Sequence, residues 1–206
     1  AKTLDWAVRA ILLIGLPAAM ALILLAEPLI ATLFHYGEVT DRDVAMSAMS
    51  LQAYGAGLIA FMLIKVLAPG FFAREDTRTP VRIGIIAMIA NMVFNLILIW
   101  PLDHVGLALA TSLSAFLNAG LLWWYLRRDG VWHFQPGWGR YLLQLALAMI
   151  VLAVITLYLR GAPEDWLSMS GWERVKLMLA LVVFGATGYF ATLALTGVRV
   201  RHFKLH

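Results

Sequence analysis

Six apolar stretches dominate this chain: 6–26, 44–68, 81–100, 105–126, 141–159 and 175–195. Each runs for roughly 20 residues, and at ~1.5 Å of helical rise per residue each can cross a hydrocarbon core ~30 Å thick. Such a core offers no hydrogen-bond partner to loops or open strand edges, so segments of this kind span as helices. The expected fold is therefore all-α, a polytopic transmembrane helical bundle of six spans. Composition agrees: 62% of residues are hydrophobic and 14% charged, whereas a soluble domain carries about a quarter charged residues. That excludes an ordinary soluble enzyme domain, a disordered chain and a coiled coil. There is no Cys, which removes disulfides and thiolate chemistry.

The connections between spans are short and leave no room for an extramembrane domain. Pro and Gly punctuate them: Glu27-Pro28 after the first span, Pro69-Gly70 after the second, Pro101 between the third and fourth, and Gly161-Ala162-Pro163 after the fifth. Pro101 predicts a tight hairpin. Pro17 lies inside the first span and predicts a kink there. The chain starts at Ala1 without a signal-like segment, which suggests a piece of a longer protein.

Six spans place both termini on one side. That side carries Lys2, Arg9, Lys65, Arg74, Arg78, Arg82, Arg127, Arg128, Arg140, Arg199, Arg201 and Lys204, twelve of the sixteen basic residues. The other side carries Arg42, Arg160, Arg174 and Lys176, with eight of the twelve acids. Short loops rich in Lys and Arg stay cytoplasmic, so both termini are expected in the cytoplasm. The basic residues sit at span ends rather than in one folded patch, which argues for membrane topology and against nucleic acid as partner. Trp6, Trp100, Trp123, Trp124, Trp132, Trp138, Trp166 and Trp172 lie near span ends, as interfacial belts require.

No charged residue falls near the middle of a span; Arg9, Lys65, Arg82 and Lys176 are close enough to an end to snorkel. A buried proton-relay carboxylate and a catalytic acid–base pair are thus not expected. The densest buried polarity is in spans three and four. Asn91 and Asn95 are four apart and share a face with Gly84 and Ala87, while Gly106, Ala110, Ser114 and Asn118 form a stripe beyond Pro101. One reading is close helix packing with amide hydrogen bonds. The other is a cation site of amide and hydroxyl oxygens from Asn91, Asn95 and Thr111, with a backbone carbonyl near Leu107, suited to a hard ion such as sodium.

The stretch 65–82, from Lys65 through Arg74 and Arg78 to Arg82, places four cations around Pro69-Gly70. It reads either as a topogenic loop against anionic headgroups or as a gate and landing site for a phosphate-bearing lipid, with Lys65, Arg74 and Arg78 as contacts. Arg74 and Arg78 share a face if the loop continues helically. Spans five and six hold little polarity and read as a lipid-facing pair or as a groove for an acyl or isoprenoid chain. His35, His104, His133, His202 and His206 all fall in loops or the tail, where solvated or interfacial roles are expected.

The sequence Lys-Val-Leu-Ala-Pro-Gly-Phe-Phe-Ala-Arg-Glu-Asp-Thr-Arg-Thr-Pro-Val from Lys65 to Val81 resembles the signature loop of the MurJ (MviN) family. These are bacterial lipid II flippases of the multidrug/oligosaccharidyl-lipid/polysaccharide exporter superfamily. Leu33-Phe34-His35-Tyr36-Gly37, Pro101-Leu102-Asp103-His104-Val105-Gly106-Leu107 and Gln135-Pro136-Gly137-Trp138 also fit. The resemblance implies a fourteen-helix, two-lobe transporter of the inner membrane, of which this chain is similar to the last six helices. Residues 1–126 then correspond to the latter part of the C-terminal lobe, and 127–206 to an additional helix pair lining a groove for the undecaprenyl tail. It further implies movement of lipid II between leaflets by alternating access, with lipid II and membrane lipids as partners, and lends weight to a cation at Asn91, Asn95 and Thr111. The alternatives are a sister exporter of other lipid-linked oligosaccharides or drugs, a membrane enzyme acting on lipid-linked substrates, and a non-transporting membrane scaffold.

Overall fold

The structure, a computed structural model, describes residues 2–132, 134 and 136–197. Every regular element among them is an α-helix: α1 Lys2–Leu24, α2 Ala26–Phe34, α3 Asp41–Phe72, α4 Arg78–Arg128, α5 Trp138–Arg160, α6 Pro163–Ser168 and α7 Gly171–Thr196. Five of these, α1, α3, α4, α5 and α7, are long and apolar enough to cross a bilayer. The protein is an all-α, multi-pass membrane protein.

The long α4 contains two of the expected spans. Its 51 residues are interrupted at Asp103, whose φ of 51° and ψ of −132° are not helical. The chain doubles back at this point. A Cβ built on Gly106 would lie 2.7 Å from the carbonyl carbon of Leu98, eight positions earlier, which a straight helix would hold ~12 Å away. The hairpin expected at Pro101 is present, and Gly106 lets its two arms approach at backbone contact.

The first span ends close to where Glu27-Pro28 was expected to close it. Pro17 sits inside a continuous α1, which stops at Leu24, and Leu25 takes φ −106° and ψ 12°. Pro28 explains the position. Having no N–H, it cannot serve the carbonyl four residues back, at Leu24. That carbonyl instead accepts a 2.7 Å hydrogen bond from Arg160 Nη1. The chain then resumes as α2.

Two compact units emerge. One comprises Ala1–Ala19 and Ala53–Pro136; the other comprises Met20–Gln52 and the described residues from Gly137 onward. In the first, Ser112 lies against Gly57, where a Cβ would come 2.8 Å from the Ser112 Cα, and the Ser112 hydroxyl donates to the Ala53 carbonyl. Ala60, Ala115 and Ala119 continue the contact, flanked by Phe61, Leu63 and Ile64. Small residues set this spacing, as is usual where lipid supplies no hydrophobic drive between helices.

In the second unit α5 and α7 pack antiparallel. Gly185 faces Leu152 and Thr156, Gly188 faces Ile155 and Val151, and Gln144 Nε2 donates to the Thr196 carbonyl at the end of α7. At the other end Trp166 is fully enclosed among Leu25, Ala31, Val44, Met178 and Leu181. Side chains such as Leu96, Ile150 and Leu179 are well exposed, as lipid contact requires.

Candidate functional site: a buried amide pair, a basic loop and an apolar cleft

Asn91 and Asn95 lie on the inward face of the first arm of α4, with Ile83 and Ala87, while Met88, Met92 and Leu96 on other faces are exposed. The Oδ1 atoms of both asparagines are buried and have no hydrogen-bond partner among the described residues. A buried amide oxygen left unmatched costs about 1–3 kcal/mol, and these two lie four residues apart on one helix face. Thr111, on the second arm, donates its hydroxyl to the Leu107 carbonyl at 3.0 Å. Asn95 and Thr111 stand eight residues before and eight after the turn at Asp103, so the hairpin sets them at similar depth. The Leu107 carbonyl and the Thr111 hydroxyl thus form one polar feature, and the two amide oxygens form another.

The basic loop differs from its expected form. α3 runs through Pro69 and Gly70 and stops only at Phe72, so the break lies in residues 73–77. Gly70 is instead a packing position, its missing Cβ facing Leu126 and Leu4 at 3.4 Å. Glu75 takes a positive φ of 59°, which no helix accommodates, so Arg74 and Arg78 do not share a helix face. Asp76 restarts the chain: its carboxylate accepts from the Arg78 and Thr79 N–H groups, both at 3.1 Å, and from the Thr79 hydroxyl at 2.6 Å. These bonds, the Thr79 hydroxyl foremost, hold the Asp76 carboxyl below the usual aspartate value.

The three expected headgroup contacts sit in different settings. Lys65 is exposed on α3, seven residues before its end, without a hydrogen-bond or ion-pair partner among the described residues. Arg74 is engaged: Nη2 lies 3.3 Å from Asp129 Oδ2, and the guanidinium stands over Phe71. Arg78 opens α4 with an exposed side chain. Nearby, Arg127 stacks on Trp123 and Phe134, and Arg128 on Trp124 and Tyr125.

Between α5 and α7 lies an apolar cleft of about 420 Å³ lined by Ile155, Tyr158, Leu159, Phe184, Thr187 and Gly188. The Thr187 hydroxyl is turned back to the Val183 carbonyl at 2.7 Å, which leaves the lining almost wholly hydrocarbon. Gly188 lets Ile155 and Val151 pack directly against α7 beside this space.

Sequence reasoning overlooked two buried charges. Asp5 is 4% exposed and is bound by Arg9 Nε at 2.9 Å. Arg174 is 3% exposed. Its Nε donates to the Trp166 carbonyl at 2.7 Å, Nη1 to Ala31 and His35 at 3.0 and 3.1 Å, and Nη2 to Leu167 at 3.0 Å. The Tyr36 ring lies 5.5 Å from the guanidinium carbon. Arg174 sits one turn inside α7, behind a capping box made by Ser170 and Glu173. A basic residue in the first turn, against the helix dipole, was the available signal. His35 is also less exposed than a loop histidine suggests: its side chain is 15% accessible, with Nε2 3.1 Å from Asp41 Oδ1. His104 stays in the α4 turn, exposed; His133, His202 and His206 lie outside the described residues, as does Gln135.

Residues 1–175 match the family described as lipid II flippase MurJ. A probable lipid II flippase MurJ of Vibrio cholerae is 44% identical over 204 residues, covering 99% of this chain and 39% of the relative. The probable lipid II flippase MurJ of Haemophilus influenzae is 45% identical over 201 residues, covering 98% and 39%. The lipid II flippase MurJ of Burkholderia cenocepacia is 39% identical over 203 residues, with the same coverages. The chain thus spans about two fifths of the length of these relatives. A solved lipid II flippase MurJ in an inward closed conformation shares the fold, with a TM-score of 0.77 at 20% identity over 93% of this chain and 38% of that one. With the family match running from the first residue into α7, and relatives this similar along nearly its whole length, the chain belongs to the MurJ lipid II flippase family.

Proposed function

We propose that this chain is the C-terminal portion of a transporter that moves lipid II, the lipid-linked peptidoglycan precursor, from the cytoplasmic to the periplasmic leaflet of the bacterial inner membrane by alternating access. The observation that carries this reading is the alignment of 98–99% of the chain with proteins named lipid II flippases. In this reading residues 1–126 are the latter part of the C-terminal lobe, 127–206 are the additional helix pair, and both termini are cytoplasmic. The protein is a transporter rather than an enzyme, and its partners are lipid II and the surrounding membrane lipids.

Lys65, Arg74 and Arg78 meet the pyrophosphate. The free ammonium of Lys65 suits a first contact, and Arg74 becomes available when it leaves Asp129. A phosphate oxygen competes well for a guanidinium held by an exposed carboxylate, because surface pairs contribute little, about 0–1 kcal/mol. The apolar cleft between α5 and α7 takes a stretch of the isoprenoid chain. Asn91, Asn95 and Thr111 form a sodium site. The unmatched Oδ1 atoms support that reading, since a sodium ion needs oxygen ligands and supplies the missing partner.

The test is lipid II binding by the full-length protein. Lys65→Ala and Arg74→Ala are expected to weaken it roughly ten- to a hundredfold, the loss of ~1.5–3 kcal/mol typical of a bond to a charged group, with normal levels in the membrane. Unchanged binding by the Lys65/Arg74/Arg78 triple-Ala variant would reduce the loop to a topological role.

A further inference from the structure

Four main-chain carbonyls from two separate stretches of chain converge on Arg174: Ala31 and His35 at the end of α2, and Trp166 and Leu167 in α6. Helix ends leave their last carbonyls without intrahelical partners and carry partial negative charge. A guanidinium offers five donors in a fixed plane, so one side chain serves all four oxygens, that of Ala31 accepting also from the His35 N–H, and they in turn stabilise a cation that is otherwise very costly to bury. Each of these partners is a carbonyl, so the bond pattern depends on the positions of α2 and α6 and not on a single rotatable carboxylate. Gly171, one turn earlier, lets Tyr36 close over the site: its missing Cβ would stand 2.9 Å from the Tyr36 hydroxyl.

The same block reaches the apolar cleft. Leu159 lines the cleft and also packs on the core formed by Leu25, Ala31 and Trp166. The next residue, Arg160, donates to Leu24 at the end of the first span. α7 supplies both Arg174 and the far wall of the cleft, Phe184, Thr187 and Gly188. A chain that fills the cleft presses on Leu159 and on α7, and both are fastened to α2.

We infer that Arg174 is a positioning residue that couples the occupancy of the α5–α7 cleft to α2, the helix that follows the first span. The inference rests on the reading of the cleft as an isoprenoid site. It assigns the helix pair a role beyond holding lipid: a filled cleft rigidifies α2, and an empty one leaves α2 free to shift. Coupling of this kind requires that the ligand interact differently with the two states of a connected element. The carbonyl-bound Arg174 is the connection.

The experiment is hydrogen–deuterium exchange on the full-length protein in nanodiscs, with and without undecaprenyl phosphate, comparing wild type with Arg174→Gln. In wild type the lipid is expected to slow exchange at least threefold both in the cleft, residues 155–159 and 184–188, and in the last turn of α2, residues 31–34. In Arg174→Gln the cleft should still respond. The α2 amides should exchange at least tenfold faster than in wild type and no longer respond to the lipid. Equal α2 responses in the two proteins overturn the coupling, as does α2 protection in the variant at the wild-type level. A wild-type cleft indifferent to the lipid overturns the isoprenoid reading, and the coupling with it. If Arg174→Gln does not reach the membrane, Arg174→Lys carries the same comparison, because one ammonium with three donors cannot match four carbonyls.

Discussion

Arg160 Nη1 donates to the Leu24 carbonyl at 2.7 Å, the carbonyl that Pro28 leaves without its helical partner. The two residues lie 136 positions apart, so a proline early in the chain creates a polar defect that an arginine at the end of the fifth span repairs. Arg160→Met is expected to lower the stability of the protein by about 1–2 kcal/mol. In a Pro28→Ala background, where residue 28 regains an N–H for that carbonyl, the same change should cost measurably less. A double-mutant cycle in detergent unfolding measures the difference, and additive effects would deny the repair.

Gly57 and Gly106 are fixed by contact rather than by conformation. A side chain at 57 meets Ser112, and one at 106 meets the Leu98 main chain. Gly57→Val and Gly106→Val should each destabilise by about 2 kcal/mol or more, as overpacking against an unyielding neighbour does. Gly84, with open space around its Cα, should tolerate Ala within about 0.5 kcal/mol. Thermal melting of the three purified variants provides the check.

Length and hydropathy made the spans legible, since nothing but a helix satisfies its backbone in hydrocarbon. The hairpin was legible from Pro101, although the turn itself falls at Asp103, whose positive φ no residue-type preference singles out. Glu27-Pro28 marked the end of the first span, and α1 does stop just before it, at Leu24. At Pro28 the freed Leu24 carbonyl is served by Arg160, a contact that sequence distance hides. Asn91, Asn95 and Thr111 were readable as a polar group from helical spacing, but the unmatched oxygens of the two asparagines appear only in three dimensions. The buried state of Arg174 was legible only as a basic residue set against the helix dipole, because its partners are carbonyls, which carry no sequence signature.

The amide pair predicts a sodium response. Replacing Asn91 and Asn95 together by Leu should abolish any sodium-dependent rise in the melting temperature of the full-length protein, while potassium serves as the control salt. A double variant that keeps the full sodium response would assign both amides to helix packing alone.

Asp76 sets an acid limit on the basic loop. Its carboxyl is held below the ordinary aspartate value, chiefly by the Thr79 hydroxyl. A depressed folded-state value means that the carboxylate contributes stability in full above the ordinary value and loses it as the pH falls through the folded one. Local opening of residues 73–79, followed by proteolysis or amide exchange, should therefore increase only under strongly acidic conditions. Asp76→Ala should open the same segment at neutral pH and remove that acid transition. A variant loop that behaves as wild type at every pH would contradict the capping role.

The most direct measurement of the central claim is translocation of the lipid-linked precursor in cells depleted of their own lipid II flippase and supplied with the full-length protein that contains this chain. An externally added hydrolase that cleaves the precursor only in the outer leaflet provides the readout. The account predicts that the wild-type protein restores cleavage, and that the Lys65/Arg74/Arg78 triple-Ala variant reaches the membrane in equal amount but restores at most about a tenth of it. A wild-type protein present at full level in the membrane that restores no cleavage would contradict the account.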